Sequence, residues 1–117
     1  MGRIDFKKGE RLDFKYQVLD ILELKDGQKI IITDYGIYDN QYMCDPFYGD
    51  ECRLAGAKWI YKDDISHKIQ DIEDIKKYTN IFMETLIEVC QRHQTSIYID
   101  DIKYIEKYLA ELENGGN

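Results

Sequence analysis

The sequence is poor in the residues and motifs that commonly reveal a function. Its 117 residues include one proline, one tryptophan, two histidines and three cysteines. It contains neither of the glycine patterns that bind phosphate, G-x-x-x-x-G-K-(S/T) and G-x-G-x-x-G, and it lacks the nucleophile motif G-x-S-x-G. Because the common nucleotide-binding and hydrolase signatures are missing, we expect a non-catalytic protein without a cofactor.

Long apolar runs are also missing. No segment reaches the ~18 continuous apolar residues that a membrane helix needs, so we expect no membrane association. The first ten residues, MGRIDFKKGE, contain no apolar core of the kind found in secretion signals. Since the chain has three cysteines and no export signal, the expected location is the reducing cytoplasm.

Positive charge is in short supply. The chain has 16 Lys and Arg against 23 Asp and Glu, which gives a net charge of −7. A negative protein repels phosphate backbones, so non-specific binding of nucleic acid is disfavoured. An acidic face could instead bind a basic protein surface. The simpler interpretation, that the charge only keeps the protein soluble, stays open.

The first half of the chain has the patterns of short β-strands. Apolar and polar residues alternate over residues 12–18, and residues 30–33 are β-branched throughout, which predicts a strand buried on both faces. The Asp-Gly within residues 25–28 predicts a hairpin with a type I′ turn. Further short strands are expected at residues 41–44, 53–54 and 58–61, with the β region ending near Ile65.

The second half has helical periodicity. One apolar stripe predicts a helix over residues 72–93, with Asp71 as its N-cap, and consists of Ile72, Ile75, Phe82, Leu86, Val89 and His93. A second stripe consists of Tyr98, Ile102, Ile105, Leu109 and Leu112. Residues 97–99 could be strand or helix. The predicted fold is a single α+β domain over residues 1–117, with a small antiparallel sheet or SH3-like barrel over 12–65 and a helical hairpin over 71–112.

Two segments carry a resemblance to known proteins. VLDILELKDGQKIIITDYG and the later KWIYKDDI resemble the SH3-like small barrels of short bacterial and phage proteins, over about residues 15–65. Such barrels host many functions, so the resemblance implies a binding scaffold. In size and charge the chain also resembles phage and mobile-element accessory and anti-defence proteins, which implies inhibition or sequestration of a protein partner.

The segment from Tyr35 to Tyr61 is the richest in aromatic residues and holds seven of them, together with the only proline. Aromatic rings interleaved with carboxylates suit recognition, because a ring offers apolar area at low entropic cost. We therefore predict an acidic aromatic loop over residues 38–53 that binds a protein partner, whereas Trp59 is expected in the core. The candidate contact residues are Tyr38, Tyr42, Asp45, Phe47, Tyr48, Asp50 and Glu51.

Three alternatives remain. Arg53, Lys58 and Trp59 could bind a small nucleotide-like ligand, since they combine two cations with a ring that stacks on a base. A small enzyme of unknown class is the second alternative. Third, the helices carry more aromatic residues than one small core needs, which predicts self-association. The four residues with metal-ligand chemistry have poor spacing, so we expect no metal site; they are Cys44, Cys52, Cys90 and His93.

Overall fold

The expected α+β class is confirmed by a computed structural model, which describes residues 14–54 and 58–115. The strands are β1 (Ile21–Leu24), β2 (Lys29–Tyr35), β3 (Gln41–Tyr48), β4 (Glu51–Cys52), β5 (Lys58–Tyr61) and β6 (Ile65–Lys68). The helices are α1 (Ile72–Arg92) and α2 (Ile99–Gly115). Neither helix is long and apolar enough to cross a membrane.

The six strands form one antiparallel sheet, in which five follow the order β4-β3-β2-β1-β6 and the sixth, β5, pairs with β3. β3 is the longest strand, and it pairs with β5 through residues 41–44 and with β4 through residues 47–48. β5 pairs with β3, whereas β6 lies at the other edge of the sheet beside β1. A 3-10 turn, Lys62–Asp64, connects these two strands. Within the described residues β5 and β6 do not pair, so the sheet is open, and the closed-barrel form expected as an alternative is not present.

The predicted hairpin between β1 and β2 is present, but its turn differs from the prediction. The Gly27 N–H donates to the Leu24 carbonyl at 2.9 Å, and the Leu24 N–H donates to the Gln28 carbonyl at 2.8 Å. Gly27 has a φ of +91°, whereas Asp26 does not have a positive φ. A type I′ turn needs two positive φ values, so this is the three-residue hairpin with glycine in the left-handed position.

The strand predicted over residues 12–18 is not formed in its described part, residues 14–18. Its first two residues lie outside the described part, and residues 14–16 are bends. Phe14 and Tyr16 are nevertheless buried. The Tyr16 N–H donates to the Tyr42 hydroxyl at 3.0 Å rather than to a neighbouring strand. The alternation of apolar and polar residues therefore reflects an irregular segment that is buried on one side.

The predicted loop over residues 38–53 is mostly strand. Pro46 suggested a break in the chain, yet it lies within β3, where that strand changes partner from β5 to β4. A proline removes one ladder donor, and its carbonyl still accepts the Arg53 N–H at 3.0 Å. The short strand expected at residues 53–54 is instead β4, and β6 follows the point where the β region was expected to end.

Two apolar clusters lie on the two faces of the sheet. On one face Ile31 and Phe47 pack with Phe82 and Leu86 of α1 and with Ile105 of α2. The other cluster is made of Phe14, Tyr16, Leu22, Leu24, Ile30, Ile32, Tyr35, Tyr42, Cys44, Ile60 and Ile65. β2 supplies consecutive isoleucines to both clusters, which confirms the prediction that it is buried on both faces.

Both predicted helices are present, although Ile72 and His93, at the two ends of the first apolar stripe, are exposed. The Asp71 carboxylate caps α1 by accepting the Asp74 N–H at 3.1 Å, as predicted. α1 ends one residue earlier than expected. Residues 97 and 98 form a turn, and the Ile99 N–H donates to the Ser96 carbonyl at 3.0 Å where α2 begins. The segment left open between strand and helix is therefore a turn that leads into the helix.

The buried position of β2 predicts a large and local effect on stability. Ile31→Ala removes a side chain with no exposed area from between the sheet and the helices, and we expect a loss of about 2–5 kcal/mol in the free energy of unfolding. The matched control is Ile37→Ala, because Ile37 is 88% exposed and its loss should change stability by less than about 0.5 kcal/mol. Urea denaturation measures both; equal effects would contradict the assigned core.

Candidate binding groove

An open groove of about 550 Å³ lies between the tip of the β3–β4 hairpin and the side of α1. The hairpin contributes Asp50, Glu51, Cys52, Arg53 and Leu54, and α1 contributes Ile81, Glu84, Thr85, Glu88, Val89 and Arg92. This volume falls within the usual range of ligand pockets, about 300–1,000 Å³. We call this feature the hairpin–helix groove.

The hairpin wall is positioned by a short turn and by packing. Gly49, with a φ of +63°, allows the tight reversal between Tyr48 and Glu51, which pair across the two strands. Phe47 lies on the helix-facing side of β3, and its ring centroid is 5.0 Å from that of Tyr78 on α1. Because β3 packs on α1 through Phe47 and pairs with the wall strand β4, both walls are held in a fixed relation.

The base of the groove is apolar. Cys52 is buried, and Leu54 and Ile81 are partly buried against the cluster between the sheet and the helices. Val89 lies two turns further along α1 than Ile81 and is also partly buried. An apolar base inside a charged rim is the arrangement typical of protein interaction sites.

The rim is charged, and its charges are only partly paired. Asp50 lies 3.4 Å from the Lys77 ammonium, and Glu88 forms an ion pair with Arg92. In the described part of the chain, no cation forms an ion pair with Glu51 or Glu84. The groove therefore presents excess negative charge.

Four of the seven predicted contact residues are exposed, and they lie at two separate places. Tyr48, Asp50 and Glu51 are exposed at the hairpin tip, and the Arg53 guanidinium lies 4.5 Å from the centroid of the Tyr48 ring. Tyr38 is also exposed but belongs to the loop between β2 and β3, at the other end of β3. The structure thus brings together the last three aromatic and acidic residues of the predicted set.

Tyr42, Asp45 and Phe47 are not surface residues, which corrects their expected role as direct contacts. All three are buried. The Tyr42 hydroxyl accepts the Tyr16 N–H and donates to the Asn40 side chain at 2.8 Å, and burial raises the pKa of this hydroxyl. Aromatic residues of this segment therefore serve the core as well as the surface.

Trp59, expected in the core, is 45% exposed. It lies on the outer face of β5 opposite Met43, and Tyr61 lies on the same face two residues later. The Gln41 side-chain amide donates to the Tyr61 hydroxyl at 3.2 Å. Trp59 is exposed because the outer rows of β3 and β5 extend beyond the area that the helices cover.

The three residues predicted for a nucleotide-like ligand do not converge. Lys58 pairs with Cys44, and successive residues of a strand point to opposite faces, so Trp59 is directed away from Lys58. Arg53 lies over Tyr48 at the hairpin tip. A ligand would therefore contact these side chains from different sides of the sheet.

Cys44 and Cys52 lie on opposite faces of the sheet, and Cys90 packs against the same cluster as Cys52. Cys44 belongs to one apolar cluster and Cys52 to the other. Burial raises the pKa of the Cys44 thiol to about 12, although the nearby Lys58 ammonium opposes this shift. Over residues 14–54 and 58–115, no group of three His, Cys, Asp or Glu side chains is close enough to hold a metal ion.

The α1 wall of the groove was missed in the sequence. Its charged residues Glu84, Glu88 and Arg92 recur every fourth position, which places them on one line along the helix. Thr85 and Val89 repeat at the same spacing beside them. This polar stripe next to the apolar one was the available signal, but nothing in the sequence said that it faces the β3–β4 hairpin.

Comparisons with protein-family models, with curated proteins and with solved structures found no match to this chain. The class of the protein therefore follows from its own architecture, an α+β domain with an open antiparallel sheet, two helices and a groove between the β3–β4 hairpin and α1.

The buried cysteines predict selective resistance to labelling. Because the pKa of Cys44 is raised to about 12, its thiol stays protonated in the folded protein at about pH 8, and we expect it to resist iodoacetamide. Cys52 should resist as well because it is buried. Peptide mapping by mass spectrometry after labelling, with and without urea, measures this. Rapid labelling of Cys44 in the folded protein would contradict its burial in the cluster that contains Phe14 and Tyr16.

Proposed function

We propose that this protein is a non-catalytic binding protein that holds a segment of a protein partner in the hairpin–helix groove. The observation that carries the proposal is the groove itself, which combines an apolar base with a charged rim. A partner segment would bury the exposed parts of Leu54, Ile81 and Val89 and would meet the rim charges at its own ends.

The walls of the groove support this function because they are preorganised. One wall is the edge strand β4 with the residues that flank it, paired with β3, and the other is a helix of 21 residues packed on the sheet. Binding to such a site orders few protein groups, so little affinity is lost to conformational entropy. The same preorganisation would let a small protein hold and mask a partner segment, which is a simple route to sequestration or inhibition.

The hairpin tip adds a side-chain pair suited to recognition. Tyr48 is 45% exposed, and the Arg53 guanidinium stacks over its ring. Tyrosine and arginine are the residue types most enriched at energetically important interface positions, together with tryptophan. Tyr48 and Arg53 thus form a favourable contact point beside the groove.

A protein segment fits the groove better than a nucleotide-like ligand does. The rim has four carboxylates, those of Asp50, Glu51, Glu84 and Glu88, against two guanidiniums. Both guanidiniums already have partners in the ring of Tyr48 and the carboxylate of Glu88. Phosphate groups would meet net repulsion there.

Blocking the groove should abolish binding. Thr85 lies on the α1 wall, so Thr85→Trp would fill the space with an indole ring. The matched control is Gln91→Trp, an exposed position of the same helix that does not line the groove. Peptides selected on the wild-type protein from a random display library should bind Thr85→Trp at least ~10-fold more weakly and bind Gln91→Trp as they bind the wild type.

Circular dichroism and urea denaturation of both variants control for folding. Binding that is equal on wild type and a folded Thr85→Trp protein would contradict the proposed site. The same conclusion follows if no peptide depends on the groove.

A further inference from the structure

We infer that the partner segment of the hairpin–helix groove is cationic: an extended stretch in which lysine or arginine residues flank an apolar side chain. This inference rests on the proposed function and adds the chemistry of the partner. It is carried by the distribution of charge along the two walls and by the position of the apolar base between them.

The unpaired negative charge lies on both walls. Glu51 belongs to β4 and Glu84 to α1, and no described cation forms an ion pair with either carboxylate. Glu84 accepts a hydrogen bond from the Asn80 amide at 3.1 Å, which leaves its charge uncompensated. A segment between the walls would therefore lie between two carboxylates.

The charges on α1 strengthen this argument. Glu84 and Glu88 are four residues apart on a helix, where like charges repel. Arg92, one turn further on, pairs with Glu88 and balances only one of them. A cation bound beside Glu84 would relieve the remaining repulsion, whereas an acidic segment would increase it.

The dimensions favour a short extended segment. From Ile81 to Arg92 the α1 wall spans about 17 Å at the rise of an α-helix. An extended chain covers that distance with about five residues. The apolar base of Leu54, Ile81 and Val89 would receive one central side chain, and the residues beside it would reach the carboxylates.

The overall charge makes a second copy of this chain a poor occupant. Each copy carries a net charge of −7, and the described hairpin tip and α1 surface repeat that sign around the groove. Two such surfaces would repel each other unless salt screened them. Charge complementarity therefore selects a basic partner.

The experiment begins with display-library peptides that bind the wild type and lose binding on Thr85→Trp. We expect these groove-dependent peptides to be enriched in lysine and arginine around an apolar residue. Neutral or acidic groove-dependent peptides would overturn the cationic partner and leave the groove as a binding site. The absence of any groove-dependent peptide would overturn the proposed function itself.

Affinity measurements on one selected peptide then test the named carboxylates. The double variant Glu51→Gln/Glu84→Gln should weaken binding about five- to tenfold, and raising the salt concentration should weaken wild-type binding in the same direction. The double variant Glu106→Gln/Glu111→Gln changes the net charge equally on exposed positions of α2, and it should bind as the wild type does. Equal effects of the two double variants would show that only net charge matters and would overturn the assignment.

Light scattering on the wild type and on Thr85→Trp measures whether a second copy of the chain occupies the groove. A dimer of the wild type that Thr85→Trp abolishes would place a second copy in the groove and would overturn the basic partner. A monomer in both proteins is the expected result.

Discussion

The structure depends on the burial of β2 on both faces. Ile30, Ile31 and Ile32 are fully buried, and because successive side chains alternate, they contact two different apolar clusters. One cluster joins the sheet to Phe14 and Tyr16 of the segment before β1, and the other joins the sheet to both helices. The same strand therefore packs against both helices and lies in the middle of the sheet. This fixes the α1 wall of the groove relative to the hairpin wall.

β3 positions one wall of the hairpin–helix groove. Its first half pairs with β5 and its last two residues pair with β4, so the hairpin tip continues past the main body of the sheet. Phe47 anchors the strand against Tyr78 of α1, and the next residue, Tyr48, is already exposed. The groove exists because this tip and the side of α1 extend beyond the residues that hold them together.

The periodic parts of the fold could be predicted from the sequence, whereas the irregular parts could not. Both helices follow from their apolar stripes, and the hairpin follows from Asp-Gly between two apolar runs. The alternation around Phe14 and Tyr16 predicts a strand, because a buried irregular segment has the same pattern. The loop predicted over residues 38–53 includes Pro46, because local sequence does not show that a strand changes its partner there.

The site shows why aromatic clustering was a weaker guide than charge spacing. Tyr42 and Phe47 looked like recognition residues, but a sheet buried on both faces needs large side chains for its own core. Glu84 and Glu88 lie outside the apolar stripe used to predict the helix, and placing like charges one turn apart opposes helix stability. Beside a groove, such repulsion favours a partner of opposite charge. The two glutamates thus mark the proposed binding surface better than the tyrosines of the predicted loop.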